Sequence, residues 1–464
     1  MENKDNSQLN KAVLLAVTMT SNFFNPLMGA AVNVALPNIG IEFSLDAVML
    51  SWITMAYLLA SAVFLVPLGK IGDMWGRKKM FLLGNIFFGL ATILCAAADS
   101  GYSLIIGRLL QGVGSAMMFS TSMAIVISAF PVSERGKVIG LNVSAVYVGL
   151  SVSPILGGVL TQTLGWRSLF IINAVVSLLV SIAIIIKIKA EWKENENDKF
   201  DWFGAIIYIP SMTALMFGFS KLPTPLATFF TAAGIVGLII FVMMELKHPF
   251  PLLNMKLFFE NRVFGSSNLS AFINYAATFA VSFILSLYLQ YSKHLSPKDA
   301  GMILIAQPVL MAVTAIFSGR LSDKISPRLL ASSGMAICVV GMALLSFIEA
   351  DTSYIYLITA LGILGFGFGL FSSPNTNMVM SSVTRNYYGI ASATLSTMRA
   401  TGMMFSMAIA SLSIHLFVGN QKINDLNVGS FIHSSKFVFV IFTILCVAGI
   451  FLSFISVKNV RVSN

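Results

Sequence analysis

The sequence predicts an all-α polytopic membrane protein of 14 transmembrane helices, with two six-helix pseudo-repeat bundles and two inserted helices. Three observations carry that expectation. Of 464 residues, 57% are hydrophobic and only 10% charged, with a mean hydropathy of +0.85, whereas soluble domains carry about 25% charged residues. Apolar runs of the ~20 residues that a spanning helix needs recur from residue 12 almost to the end. Finally, basic residues gather on alternate loops, and one loop pattern returns 250 residues after its first appearance.

The spans are expected near 12–36, 47–69, 80–98, 102–128, 138–161, 167–188, 202–220, 226–246, 264–291, 300–318, 329–348, 354–380, 389–417 and 436–457. Each must be helical, because lipid offers an open backbone no hydrogen-bond partner. With the N-terminus inside, 21 of the 29 Lys and Arg fall on the cytoplasmic side, 6 on the outer side, and Arg108 and Arg399 lie within spans. One miscounted span would scramble that asymmetry, so both termini are expected in the cytoplasm, with the chain in the cytoplasmic membrane. The same distribution accounts for the net charge of +10 without nucleic acid as a partner. Cys95, Cys338 and Cys446 sit singly in apolar runs and suggest neither disulfide nor metal spacing. The short polar start precedes an apolar run too long for a signal peptide, and reads as the approach to a retained first span.

The loop after span 2 runs Gly69-Lys-Ile-Gly-Asp73-Met-Trp-Gly76-Arg77-Lys78-Lys79, and the loop after span 10 runs Gly319-Arg-Leu-Ser-Asp323-Lys-Ile-Ser-Pro-Arg328. Each puts a glycine four residues before an aspartate, with basic residues after it. Two further echoes follow: Gly112-Val-Gly114 against Gly365-Phe-Gly367, and Arg135-Gly136 against Tyr388-Gly389. Six helices occupy roughly 200 residues, so the offset leaves room for two more. The expected division is 1–190, a six-helix bundle; 191–262, two inserted helices; and 263–464, a second six-helix bundle. Parallel repeats of six spans are how secondary transporters place a site at mid-membrane.

Several segments then resemble a known family. Beside the Gly69–Lys79 loop stand Asn33-Val-Ala-Leu36-Pro37, Trp52 to Leu59, Arg108-Leu-Leu-Gln111-Gly112-Val-Gly114, Gly149-Leu-Ser-Val-Ser153-Pro154-Ile-Leu-Gly157-Gly158, and Gly165-Trp166-Arg167. Together they are similar to the fourteen-helix drug:H⁺ antiporters of the major facilitator superfamily, densely over residues 30–175 and more thinly afterwards. The resemblance implies export of small amphipathic molecules or drugs by H⁺ antiport with alternating access, the proton gradient supplying the energy and no cofactor being used. It implies a conformational latch from Gly69, Asp73, Gly76, Arg77 and Lys78, with Arg135, Asp323 and Arg328. In the family, the aspartate is held by basic residues and by the N-terminus of a helix of the other half. It assigns Arg108, with Gln111 beside it, to proton coupling. It also marks Gly149, Pro154, Gly157 and Gly158 as the antiporter-motif helix.

The residues allow plainer roles as well. Arg108 lies near a span end, where a structural, snorkelling role would serve, and the glycines of span 5 could serve packing alone. On span 13, Ser392, Ser396, Arg399, Met403 and Ser406 share a face expected to meet the cavity. Other cavity candidates are Asn25, Met28, Asn33, Tyr57, Asn142, Tyr147, Asn274, Gln307 and Asn375. Met28 stands where the family carries an aspartate, and no Asp or Glu lies deep in any span. With two intramembrane arginines, that shifts the expected small-molecule cargo toward neutral, amphipathic or anionic compounds. The alternative is a dedicated carrier for one metabolite or lipid, without proton coupling. No catalytic cluster, metal set or nucleotide-binding loop appears, which argues against an enzyme or an ATP-driven pump. The chain is expected to act as a monomer in the bilayer.

Overall fold

The computed structural model describes residues 11–193, 199–322, 324–384 and 387–455. Fourteen helices are long and apolar enough to cross a membrane among these residues: α1 Lys11–Phe43, α2 Ala47–Trp75, α3 Arg77–Ala96, α4 Gly101–Ala129, α5 Val132–Leu164, α6 Arg167–Lys187, α7 Trp202–Phe219 and α8 Pro225–Glu245. After a six-residue helix, Met255–Glu260, come α9 Arg262–Ser292 and α10 Pro297–Leu321. The set closes with α11 Pro327–Leu345, α12 Tyr354–Ser381, α13 Tyr388–Phe417 and α14 Val428–Ile455.

Packing follows the repeat anticipated from the loops. Helix α2 lies on α4, α1 on α5, and α3 on α4 and α6. Eight helices later, α10 lies on α12, α9 on α13, and α11 on α12 and α14. The glycine pairs show why. A Cβ on Gly112 would run into the Tyr57 carbonyl of α2, and one on Gly365 into the Gln307 carbonyl of α10. Gly114 abuts the Phe88 backbone of α3, and Gly367 the Cys338 backbone of α11. Backbone approach this close is available only to small residues, and it is a main source of cohesion between helices in lipid.

Two of the long helices are broken, which the periodicity did not foretell. Helix α9 runs regularly to Thr278, resumes at Val281 and ends in a π-turn, Tyr288–Ser292. At the break, the Ala280 N–H is satisfied by Ser406 Oγ of α13 at 2.9 Å, so the kink leaves no orphan donor there. Helix α10 breaks at Ile305, between Leu304 and Ala306. Pro308 follows, and it cannot donate to the Leu304 carbonyl.

The two sets of six meet chiefly where α2 packs on α13 and α5 on α10. Hydrogen bonds join them at the end remote from Asp73: Ser51 to Ser411 Oγ at 2.7 Å, Ser286 to Asn33 O at 2.8 Å and Gln290 to Val34 O at 2.9 Å. Gly158 seats on the Pro297 carbonyl and Gly301 on the Pro154 carbonyl. The same end is tied by Glu42, which accepts from Trp166 Nε1 at 2.7 Å and Arg167 at 2.6 Å. Helices α7 and α8 pair with each other, and α7 touches both α2 and α13, with Phe217 against Trp52 and Phe219 against Phe405.

Within α5, Gly149 faces the Phe23 carbonyl of α1, whereas Gly140 has no atom within 4 Å of an added Cβ. Gly149→Val should therefore cost roughly 1–3 kcal/mol through overpacking, seen as a lowered midpoint of thermal unfolding of the detergent-solubilised protein. Gly140→Val should leave the midpoint unchanged.

Candidate functional site

A cavity of about 480 Å³ lies between the two sets of helices, within the range of small-molecule sites. Its walls come from α1, α2, α4 and α5 on one side and α9, α10, α12 and α13 on the other. These helices correspond pairwise under the repeat. Of the expected cavity residues, Asn25, Asn33, Tyr57, Asn142, Tyr147, Gln307, Arg399 and Met403 line it, as does Pro154. Met28, Asn274 and Asn375 do not. Met28 is buried behind the wall, Asn274 donates to Met335 Sδ, and Asn375 is 1% exposed. Spacing along a helix cannot say which of two buried faces meets a gap.

On the α1–α5 side the polar groups are knitted together. Asn22 donates to Asn142 Oδ1 at 2.9 Å and accepts from Ser122 at 3.3 Å. Tyr57 donates to Asn25 Oδ1 and shares a hydrogen bond with Ser115 at 2.9 Å. Asn33 accepts from Thr54 at 2.8 Å. Behind this layer, out of the cavity, sits Arg108, fully buried. Its guanidinium lies 4.3 Å from the Tyr57 ring centroid, a cation–π distance. It donates from Nε to Ile53 O at 3.1 Å and from Nη1 to Gln111 Oε1 at 2.5 Å, and Gln111 donates to Thr92 at 2.8 Å. Nη2 has no hydrogen-bond partner, and among the described residues no carboxylate pairs with this cation. Arg108 is therefore one ring removed from the cavity, not snorkelling to a surface.

On the α9–α13 side two polar atoms of the described lining residues go unpaired. Ser392, Ser396, Arg399 and Met403 line the cavity from one face of α13, while Ser406 of the same face does not line it and accepts from the Ala280 N–H instead. Arg399 donates to Thr376 at 2.6 Å, lies 5.6 Å from the Tyr275 ring centroid, and leaves Nε without a partner. Gln307 Oε1 is likewise unpaired. Tyr147 of α5 reaches across to Ser372 of α12 at 3.0 Å. Among the described lining residues, Arg399 is the sole charged side chain.

At the loop between α2 and α3, Asp73 pairs with Arg77 at 2.7 Å, and Arg77 also donates to Ser128 at 2.7 Å. Gly76 has φ +134°, a conformation that favours glycine, and Gly69 lies against Ser120. The N-terminus of α3 is occupied by Glu191, from the segment after α6. Glu191 accepts from the backbone N–H of Lys78 at 2.8 Å and of Lys79 at 3.2 Å. Arg328 lies in the first turn of α11. Asp323 and the Arg135 side chain lie outside the described residues.

Sequence reading did not find Glu191, or the cavity residues Tyr275, Phe279, Phe368 and Thr376. A lone Glu in a charged stretch carries no cap signature, and aromatic residues are common in every span. Removing the cap in Glu191→Ala should cost about 0.5–2 kcal/mol at the start of α3. Backbone amides of residues 78 and 79 should then exchange faster with deuterium, while Glu191→Gln, which keeps an acceptor, should show a smaller change.

Comparison with known proteins agrees with this architecture. The family model of the Major Facilitator Superfamily matches residues 18–258 and 267–463. The riboflavin transporter RibZ of Clostridioides difficile (strain 630) is 31% identical over 453 residues, covering 96% of this chain and 97% of its own. Multidrug resistance protein 3 of Bacillus subtilis (strain 168) is 30% identical over 81% of this chain and 74% of its own. Among solved structures, a bacterial homolog to the human lysosomal transporter Spinster, inward-facing and unoccupied, superposes with a TM-score of 0.70 at 16% identity, covering 98% of both chains. Members of this family are transporters and not enzymes, and with its model matched along nearly the whole length, the chain belongs to the major facilitator superfamily.

Proposed function

We propose that the chain exports small amphipathic molecules across the cytoplasmic membrane by alternating access, with H⁺ antiport as the energy source. The observation that carries this reading is the central cavity, walled by eight repeat-related helices, with Ser51, Ser286 and Gln290 bonding the two sets at the end away from Asp73 and Tyr147 bonding Ser372 across the cavity. The units that tilt are 1–190 and 263–464, with 191–262 inserted between them; the recurrence of packing pairs eight helices apart supports that division. The placement of Lys and Arg supports cytoplasmic termini and an Asp73 end facing the cytoplasm. The chain acts as a monomer, since one copy supplies both walls.

In this cycle the Asp73–Arg77 pair and the loop around it re-form contacts as the open end closes. The antiporter-motif helix α5 carries the closure, because Gly149 and Gly157 bind it to α1 while Pro154 and Gly158 bind it to α10. Coupling runs through Arg108, Gln111 and Tyr57, the buried cation and the ring that separates it from the cavity.

A second reading is a dedicated carrier for one metabolite without proton coupling. It is favoured by the end-to-end match to a protein named as a riboflavin transporter, where the multidrug relative matches over only 74% of its length.

Everted membrane vesicles test both. Energised vesicles should accumulate a range of amphipathic compounds, and collapse of the pH gradient should abolish it; uptake of one compound only to equilibrium, at a rate unaffected by the collapse, selects the second reading. Asp73→Asn should lower the transport rate about tenfold or more with the membrane content of the protein unchanged. Undiminished transport in that variant removes the latch.

A further inference from the structure

We propose that the cavity selects flat aromatic compounds bearing one anionic group, and that Arg399 receives that group. The inference deepens the transport reading and rests on it. The two poles of the cavity are chemically unlike. At the α1–α5 pole, Asn22, Asn25, Asn142 and Tyr57 are neutral and bond chiefly to one another and to Ser115, Ser122 and the Val138 carbonyl, so a ligand there meets polar groups but no charge. At the α9–α13 pole, the Arg399 guanidinium lines the cavity, donates from Nη2 to the Thr376 hydroxyl, leaves Nε buried and unpaired, and makes no hydrogen bond through Nη1 among the described residues.

A partly buried cation without a counter-ion is costly, and an incoming anion relieves that cost. Arg399 has no carboxylate partner among the described residues, and none lines the cavity. A cationic cargo would meet repulsion and find nothing to pair with it. A neutral cargo would leave the cost in place. An anion gains charge-assisted hydrogen bonds from the guanidinium fork. The aromatic part follows from the neighbours. The Tyr275 ring lies beneath the guanidinium, and Phe279, Phe368 and Tyr147 line the wall around it, surfaces suited to stacking against a conjugated body.

The pole is also placed to register occupancy. Arg399 bonds Thr376, Thr376 bonds the Ser372 carbonyl at 2.8 Å, and the Ser372 hydroxyl bonds Tyr147 of the opposite wall. An anion on Arg399 therefore acts two hydrogen bonds away from a link between the two sets of helices.

The test is equilibrium binding of three radiolabelled probes of one shape to the purified full chain in nanodiscs: 2-naphthoate, 2-naphthamide and 2-(aminomethyl)naphthalene. The anion is expected to bind about tenfold more tightly than the amide, and the cation weakest. Arg399→Gln should erase the preference for the anion, and Arg399→Lys should retain part of it. A thermal unfolding midpoint unchanged from that of the unsubstituted chain reports that the variants are folded. Equal binding of all three probes, or a preference that survives Arg399→Gln, overturns the proposal while leaving a transport cavity of broad specificity. Binding of none overturns the proposal and the cavity reading together.

Discussion

Where α5 meets α10, the backbones touch at Gly158 and Gly301, and the rest of the molecule is arranged around that touch. Lipid gives apolar helices little reason to prefer one another over acyl chains. Close approach through small residues, with hydrogen bonds such as Ser151 to the Pro308 carbonyl at 3.0 Å, therefore does the work that burial does in water. Because these contacts gather at one end, the helices splay at the other, and the gap between them is the cavity. The breaks in α9 and α10 fall beside that gap, where irregular backbone can be matched by a side chain such as Ser406.

Much of this architecture could be read from the chain before any coordinates. Span number, the pairing of halves and the equivalence of Gly112 with Gly365 follow from hydropathy and from an echoed loop. The face of α13 carrying Arg399 follows from helical spacing, since a polar stripe in a span must turn away from lipid. What periodicity cannot supply is depth. Arg108 and Arg399 look alike in sequence, each an arginine amid apolar residues, yet one is sealed behind Tyr57 and the other opens on the cavity. Met28, Asn274 and Asn375 are buried in the same sense as Asn25 and Gln307, but not against the gap. Glu191 was invisible for another reason: its partners are backbone N–H groups more than a hundred residues away, and no side-chain pattern records them.

The two intramembrane arginines divide the electrostatics of the molecule. Arg108 is held by a carbonyl, an amide and a ring, all neutral, with its Nη2 group left without a partner. An unmet buried donor costs on the order of 1–3 kcal/mol, a burden that marks the α2–α4 contact as something other than passive packing. Arg399 lines the cavity and leaves its Nε buried and unpaired, so the molecule stores one unmet demand inside its wall and another beside the central cavity.

The pair α7 and α8 has a different bearing. One helix leans on α2 and α13, which belong to opposite halves, while its companion shows Phe229, Ile239 and Met243 to the surrounding acyl chains. If the halves tilt as proposed above, a hairpin that touches both would carry its broad apolar face sideways through the leaflet, and membrane viscosity and thickness would then bear on the speed of the cycle.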